Sequence, residues 1–180
     1  HFEAMSLIGK IGETGTCRPA HTELEKQGFK IAASWMQEAG MKTRIDNFGN
    51  LIGRLEGKNP NLPCLMMGSH LDSQPYGGRF DGVAGVLCAI EVVTTLTENG
   101  IQPERPIEVI SFADEEGWRF NKGLFGSRGI LGKLEEGELQ RTDKDGITRE
   151  QALKDFGCDV TKFKESEYKE GSIFCFLELH

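Results

Sequence analysis

Apolar positions along the chain fall into two rhythms. Phe2, Met5, Ile8 and Ile11 recur at helical spacing, so the opening reads as an amphipathic helix broken by Gly12 to Gly15. Cys17 to Ala20 then reads as a loop. Thr22 stands three residues before Glu25, a capping-box pattern, and Leu24, Ile31, Trp35 and Met36 give the following helix an apolar stripe. Gly40 suits its C-terminal end. Val83, Val86, Leu87, Ile90 and Val93 share one face of a helix predicted over 82–98, which Asn99-Gly100 ends. The other rhythm is strand-like. Met41 to Asp46 and Leu51 to Leu55 flank the turn Asn47 to Asn50. Leu65 to Ser69, Ile107 to Phe112 and Ile173 to Leu179 read as three buried core strands. The stretch 117–129 is irregular, 131–139 reads as a short helix, and Thr148 with Gln151 marks another helix start. Strands alternating with helices predict an α/β fold with a mixed, largely parallel sheet flanked by helices. No repeat, low-complexity tract or domain boundary interrupts the pattern.

Composition narrows what such a fold does. The 180 residues suffice for one domain with a core, and the net charge of −7 argues against a nucleic-acid groove. No apolar run approaches a membrane span, and no basic-then-apolar signal segment opens the chain. Five scattered cysteines without a CxxC pair fit reduced thiols in a cytoplasmic protein. Cys64, Cys88 and Cys175 lie in apolar surroundings and read as small core residues. Both ends read as cut, because the chain opens on His1 and closes on His180 directly after a strand-like run.

The chemistry gathers at predicted strand ends. His70 and Asp72 are two apart, so an extended backbone turns both to one face. Asp81 follows Gly77-Gly78 and opens the 82–98 helix. Asp114-Glu115-Glu116-Gly117 follows the second core strand, and His180 tips the third. Together these supply a ligand set for two divalent metals. Asp81 suits the bridge, and His70, Glu116 and His180 the outer ligands. Glu115 suits the base that takes a proton from the attacking water. Asp72 would accept a hydrogen bond from the second ring nitrogen of His70, fixing its tautomer, or would merely form a turn. Taken alone, Asp114 to Glu116 would be a solvated acidic turn, and His1 and His21 read as hydrogen-bonded surface residues. Gly77-Gly78 lacks any phosphate-loop spacing, and Ser69, Ser73 and Ser127 lack a nucleophile elbow.

The segments GSHLDSQPYGGRFDG, FADEEGWRF, GLFGSRGILG and FLELH together resemble the amidases of the M20 metallopeptidase group. The resemblance is to N-carbamoyl-L-amino-acid hydrolases, with allantoate amidohydrolases and ureidopropionases as relatives, and it runs from about Thr16 to His180. It implies a zinc-exopeptidase-like catalytic domain with two divalent ions, zinc, manganese, cobalt or nickel. It also implies hydrolysis of a ureido or amide C–N bond in a small N-carbamoyl substrate, releasing ammonia and carbon dioxide. The family's metal histidine falls on His70, its bridging aspartate on Asp81 and its two glutamates on Glu115 and Glu116. The histidine that separates amidases from peptidases falls on His180. By the same resemblance residues 1–180 are the amino-terminal part of the catalytic domain. A lid and dimerisation domain, and the rest of the catalytic domain, lie outside them, so a homodimer is expected. Two other readings stay open: a metallo-exopeptidase of the same superfamily, and a non-catalytic remnant.

Overall fold

A computed structural model describes residues 1–180. Five strands form the main sheet in the order β3 (Lys42–Ile45), β4 (Leu51–Leu55), β7 (Ile107–Phe112), β5 (Cys64–His70), β8 (Ile173–Leu177). β3, β4 and β7 pair antiparallel, whereas β7, β5 and β8 run parallel. The sheet is therefore mixed; His70, Glu116 and His180 lie at or just beyond the ends of its parallel strands, while Asp81 lies just before the helix Val83–Glu98. Parallel neighbours end on the same side, so His70 and Phe112 stand in register at one end of the strands. A smaller antiparallel sheet joins β1 (Lys10–Ile11), β2 (Gly15–Arg18) and β6 (Ser73–Gly77).

The helices are α1 (Phe2–Leu7), α2 (Glu23–Glu38), α3 (Val83–Glu98), α4 (Phe125–Ile130), α5 (Arg149–Phe156) and α6 (Phe163–Ser166). α2 packs on β3 and β4, α3 packs on β5 and β7, and the two helices touch each other. The five predicted apolar positions of α3 are all buried there. Burying each such side chain is worth about 1.5–3 kcal/mol. β7 is buried along its whole length. Its one acidic residue, Glu108, is neutralised by Arg54 and Arg44 and accepts the Tyr168 hydroxyl. No helix is long and apolar enough to cross a membrane.

Several sequence expectations change. α1 stops at Leu7 because Gly9 turns with φ +71°, and Ile11 belongs to a strand. Cys17 and Arg18 extend β2 instead of forming a loop, and Arg18 is fully buried. The buried face of α2 runs through Glu25, Phe29, Ala32, Trp35 and Met36, leaving Leu24 exposed. Thr22 caps α2 by accepting the Glu25 N–H, but the Glu25 carboxylate reaches back to the N–H of His21 rather than Thr22. Residues 131–139 form no α-helix; one 3-10 turn spans Glu138–Gln140. α4 gives regular structure to the end of the irregular stretch. β8 ends at Leu177 and lies at the sheet edge with Phe174, Phe176 and Leu177 exposed, so it is not a buried strand. Cys88 is exposed on α3, while Cys64 is buried; all five cysteines are unpaired. His21 is not a surface residue: it is buried among Phe120, Phe125 and Phe156 with neither ring nitrogen hydrogen-bonded.

Candidate metal centre

His70 is the last residue of β5 and is completely buried. Its Nδ1 lies 3.0 Å from the Asp72 carbonyl oxygen and 3.5 Å from Asp72 Oδ1. Its Nε2 faces outward, 3.3 Å from His180 Nε2, 3.4 Å from Glu115 Oε2 and 3.9 Å from Asp81 Oδ1. His180 Nε2 in turn lies 3.2 Å from Asp81 Oδ1. One ligand atom each from His70, Glu115 and His180 lies within 4.8 Å of the others. Four residues up to 110 positions apart thus meet at one end of the parallel strands. Glu116 stands outside the close trio, beside Glu115 in the same turn.

Local sequence explains each placement. Gly82 has φ +66° at the start of α3, and a Cβ there would overlap the His70 imidazole. A glycine at this position therefore lets the helix start, with Asp81 before it, approach the ring. Asp72 accepts the N–H groups of both Glu115 and Glu116, each at 3.2 Å. Asp72, expected to orient His70 or merely to form a turn, thus also clamps the turn that carries the two glutamates. The same turn is held from behind. Asn50 accepts the Ala113 N–H at 2.8 Å, and the carbonyls of Ala113, Asp114 and Glu115 accept N–H groups of Gly126, Phe125 and Leu124. Asp114 sits in a left-handed conformation, φ +49°, with its carboxylate on Arg149.

The electrostatics fit a cation. Asp72, Asp81 and Glu115 have histidines as their only ion-pair partners, and Glu116 has none. Glu116 Oε1 is buried without a hydrogen-bond partner. Burial, opposed by His70 and reinforced by Asp72, pushes the Glu115 carboxyl above its usual range; burial does the same for Glu116. Burial acts to lower the His70 pKa, but Asp72 and then Glu115 outweigh it and raise the imidazole to about 9. Imidazole plus carboxylate donors that lack other cations are what zinc, manganese, cobalt or nickel ions accept. The residues present therefore suit a divalent metal.

Sequence reasoning missed the buried support. Arg149, Glu138, Asn50 and Asp46 lie far from the motifs, and nothing in their spacing marks them. The only signal was Gly49-Asn50, read as a turn.

The family model described as "Peptidase family M28" matches residues 50–152, which include His70, Asp81, Glu115 and Glu116. An N-carbamoyl-L-amino-acid amidohydrolase of Pseudomonas sp. (strain NS671) is 44% identical over 100% of this chain and 44% of its own length. An allantoate deiminase of Arabidopsis thaliana is 34% identical over 96% of this chain and 35% of its own length. The crystal structure of a hydantoinase/carbamoylase family amidase from Burkholderia ambifaria superposes with a TM-score of 0.83. It is 41% identical and covers 87% of this chain and 39% of that one. The chain thus spans less than half the length of these relatives. The relatives are the amidases to which the motifs pointed, while the matching model carries the M28 label in place of M20. By that model the chain belongs to peptidase family M28, and it is similar to the amidohydrolases and the hydantoinase/carbamoylase family amidase named above.

Proposed function

We propose that the full-length protein of which this chain is the amino-terminal part hydrolyses the ureido C–N bond of N-carbamoyl-L-amino acids. Water adds to the carbamoyl carbon and one C–N bond breaks; the carbamic acid so formed loses carbon dioxide, breaking the second, and the products are the free amino acid, carbon dioxide and ammonia. The observation that carries this reading is the meeting of His70, Asp81, Glu115 and His180 at one end of the parallel strands. It stands in a chain 44% identical to an amidohydrolase.

His70, Asp81, Glu116 and His180 would hold two divalent ions, zinc, manganese, cobalt or nickel, with Asp81 shared between them. Such ions supply Lewis acidity toward the carbonyl oxygen and lower the pKa of water toward ~7. Glu115 takes the proton of the attacking water and returns it to the leaving nitrogen. Its position suits that transfer, because Oε2 lies 3.4 Å from His70 Nε2, at the place where the ligand atoms converge. Asp72 keeps the His70 ring in the tautomer that presents Nε2 and fixes the backbone beneath both glutamates. Glu116 takes the ligand role because its buried Oε1 has no protein partner.

Further parts of the reading concern the longer protein. A lid and dimerisation domain outside residues 1–180 would complete the substrate site and join two copies. The small ureido substrate would be the partner, with no nucleic acid and no membrane. The unpaired cysteines support a cytoplasmic location.

Ammonia release tests the assignment. Manganese- or zinc-loaded full-length protein should release ammonia from N-carbamoyl-L-amino acids faster than from allantoate, and should leave dipeptides intact. Preference for allantoate would move it to the second reading, which the allantoate deiminase relative favours. Dipeptide hydrolysis without ammonia release would replace the amidase reading with an exopeptidase one.

A further inference from the structure

Behind the Glu115–Glu116 turn lies a group of buried charges that touches none of the predicted ligands. Arg149, the first residue of α5, has no exposed surface. Its Nη2 donates to Asp114 Oδ2 at 2.7 Å and to the Lys122 carbonyl at 2.9 Å, and its Nη1 pairs with Glu138. Glu138 is also buried and pairs with Arg128 as well. The guanidinium lies over the rings of Phe125 and Phe120, 4.4 and 4.9 Å from their centroids. Thr148 starts α5 by accepting the Gln151 N–H, which places Arg149 in the first turn pointing inward.

The connection to the site is a single peptide link. Asp114 directly precedes Glu115, and its left-handed backbone, φ +49°, is one that a non-glycine residue holds only when its surroundings fix it. Arg149 supplies that fixation from the side chain, while α4 fixes the carbonyls. The planar fork reaches two carboxylates and a carbonyl at once, which an ammonium cannot do. Arg149 also grips the carbonyl of Lys122 and so holds the loop that returns to α4.

We infer that Arg149 is a positioning residue for the metal centre: through Asp114 it sets the backbone from which Glu115 and Glu116 reach the ions. The inference rests on the metal-hydrolase reading above. Direct hydrogen-bond partners of metal ligands are worth about 10–100-fold in metal affinity or activity, the upper bound for support that acts one peptide link further back.

The test uses full-length protein carrying Arg149→Lys, and in parallel Asp114→Asn, which preserves volume and an acceptor for the guanidinium. Cobalt(II) is the probe, with affinity read by calorimetry and ligand geometry by the visible absorption per bound ion. Thermal unfolding of the metal-free protein reports the fold. For folded R149K, cobalt affinity and turnover should each fall by more than about twofold and up to about 100-fold, with an altered cobalt spectrum. D114N should move both in the same direction, and it decides the matter should R149K not fold. Folded variants with cobalt affinity, spectrum and turnover within about twofold of the parent would overturn the inference, since loss of a purely structural arginine lowers the folded fraction but leaves the metal site of the folded molecules unchanged. Parent protein that binds cobalt yet releases no ammonia from any ureido substrate would sink the proposed function alone. Parent protein that binds no cobalt would sink both.

Discussion

At the residue scale the account turns on how few groups do separate work. Glu115 and Glu116 are adjacent, yet the fold treats them differently: one approaches His70, the other keeps a buried oxygen without a protein partner. Replacing Glu115 with Gln removes the proposed base and leaves the backbone clamp from Asp72 intact. Turnover of the full-length enzyme should fall by about 10²–10⁴-fold, with cobalt affinity little changed. Unchanged turnover would place the base elsewhere. Gly82→Ala should be far more disruptive than its size suggests. The added Cβ would overlap the His70 ring, and φ +66° disfavours alanine, a cost of about 1–3 kcal/mol before any loss of metal. Loss of cobalt binding together with a lowered Tm checks this. A proton count adds a third test. The metal-free His70 imidazole titrates at about 9, so at pH 7 it carries a proton that a bound cation must displace. Calorimetry at pH 7 in buffers of different ionisation heat should show net proton release on cobalt binding; zero release would contradict a protonated imidazole in the metal-free site.

At the element scale the site is a product of sheet order. β5 and β7 are parallel neighbours, so the HxD stretch and the Asp-Glu-Glu stretch leave the sheet on the same side. β8 adds His180 from the other flank of β5. This much was legible, because the strands are short apolar runs and the reactive residues follow each run directly. The supporting contacts were not legible. Asn50 sits in a turn between β3 and β4, and only the fold brings its side chain to the Ala113 N–H and the Gly126 carbonyl. Asp46 holds Asn50 through its carboxylate, although burial, opposed by bonds from Asn50 and Phe48, lifts its pKa to about 6. Asn50→Ala would leave the buried Ala113 N–H unsatisfied, so urea unfolding should show about 1–3 kcal/mol lost. A stability loss under about half a kcal/mol would mean the turn is held otherwise. Periodicity failed for different reasons at other places. Gly9 ends α1 early by backbone geometry, and β8 is apolar in sequence yet lies at an edge.

At the scale of the whole molecule, burial of polar groups makes stability depend on pH. His21 is fully buried, and burial, aided by the Arg149 and Arg119 cations, pushes its pKa down to about 3. The depressed value means the neutral ring is favoured in the fold. Its contribution is complete above the unfolded pKa of about 6.5 and is lost as pH falls toward about 3. In His21→Phe the fall in stability over that window should be shallower by about one proton; an identical slope would show that His21 does not titrate on unfolding. Chain length bears on function at this scale as well. Residues 1–180 span less than half of the relatives. On the proposed reading they hold most of the metal site and little of the substrate site, so these residues alone should release no ammonia from N-carbamoyl amino acids where the full-length protein does.

The metal centre itself is open to direct observation. Crystals of the full-length protein grown with manganese or zinc, measured at the absorption edge, should show anomalous peaks within ligand distance of His70, Asp81, Glu116 and His180, about 3.5–4 Å apart. Peaks only at other sites, or none at a concentration that sustains turnover, would contradict the account.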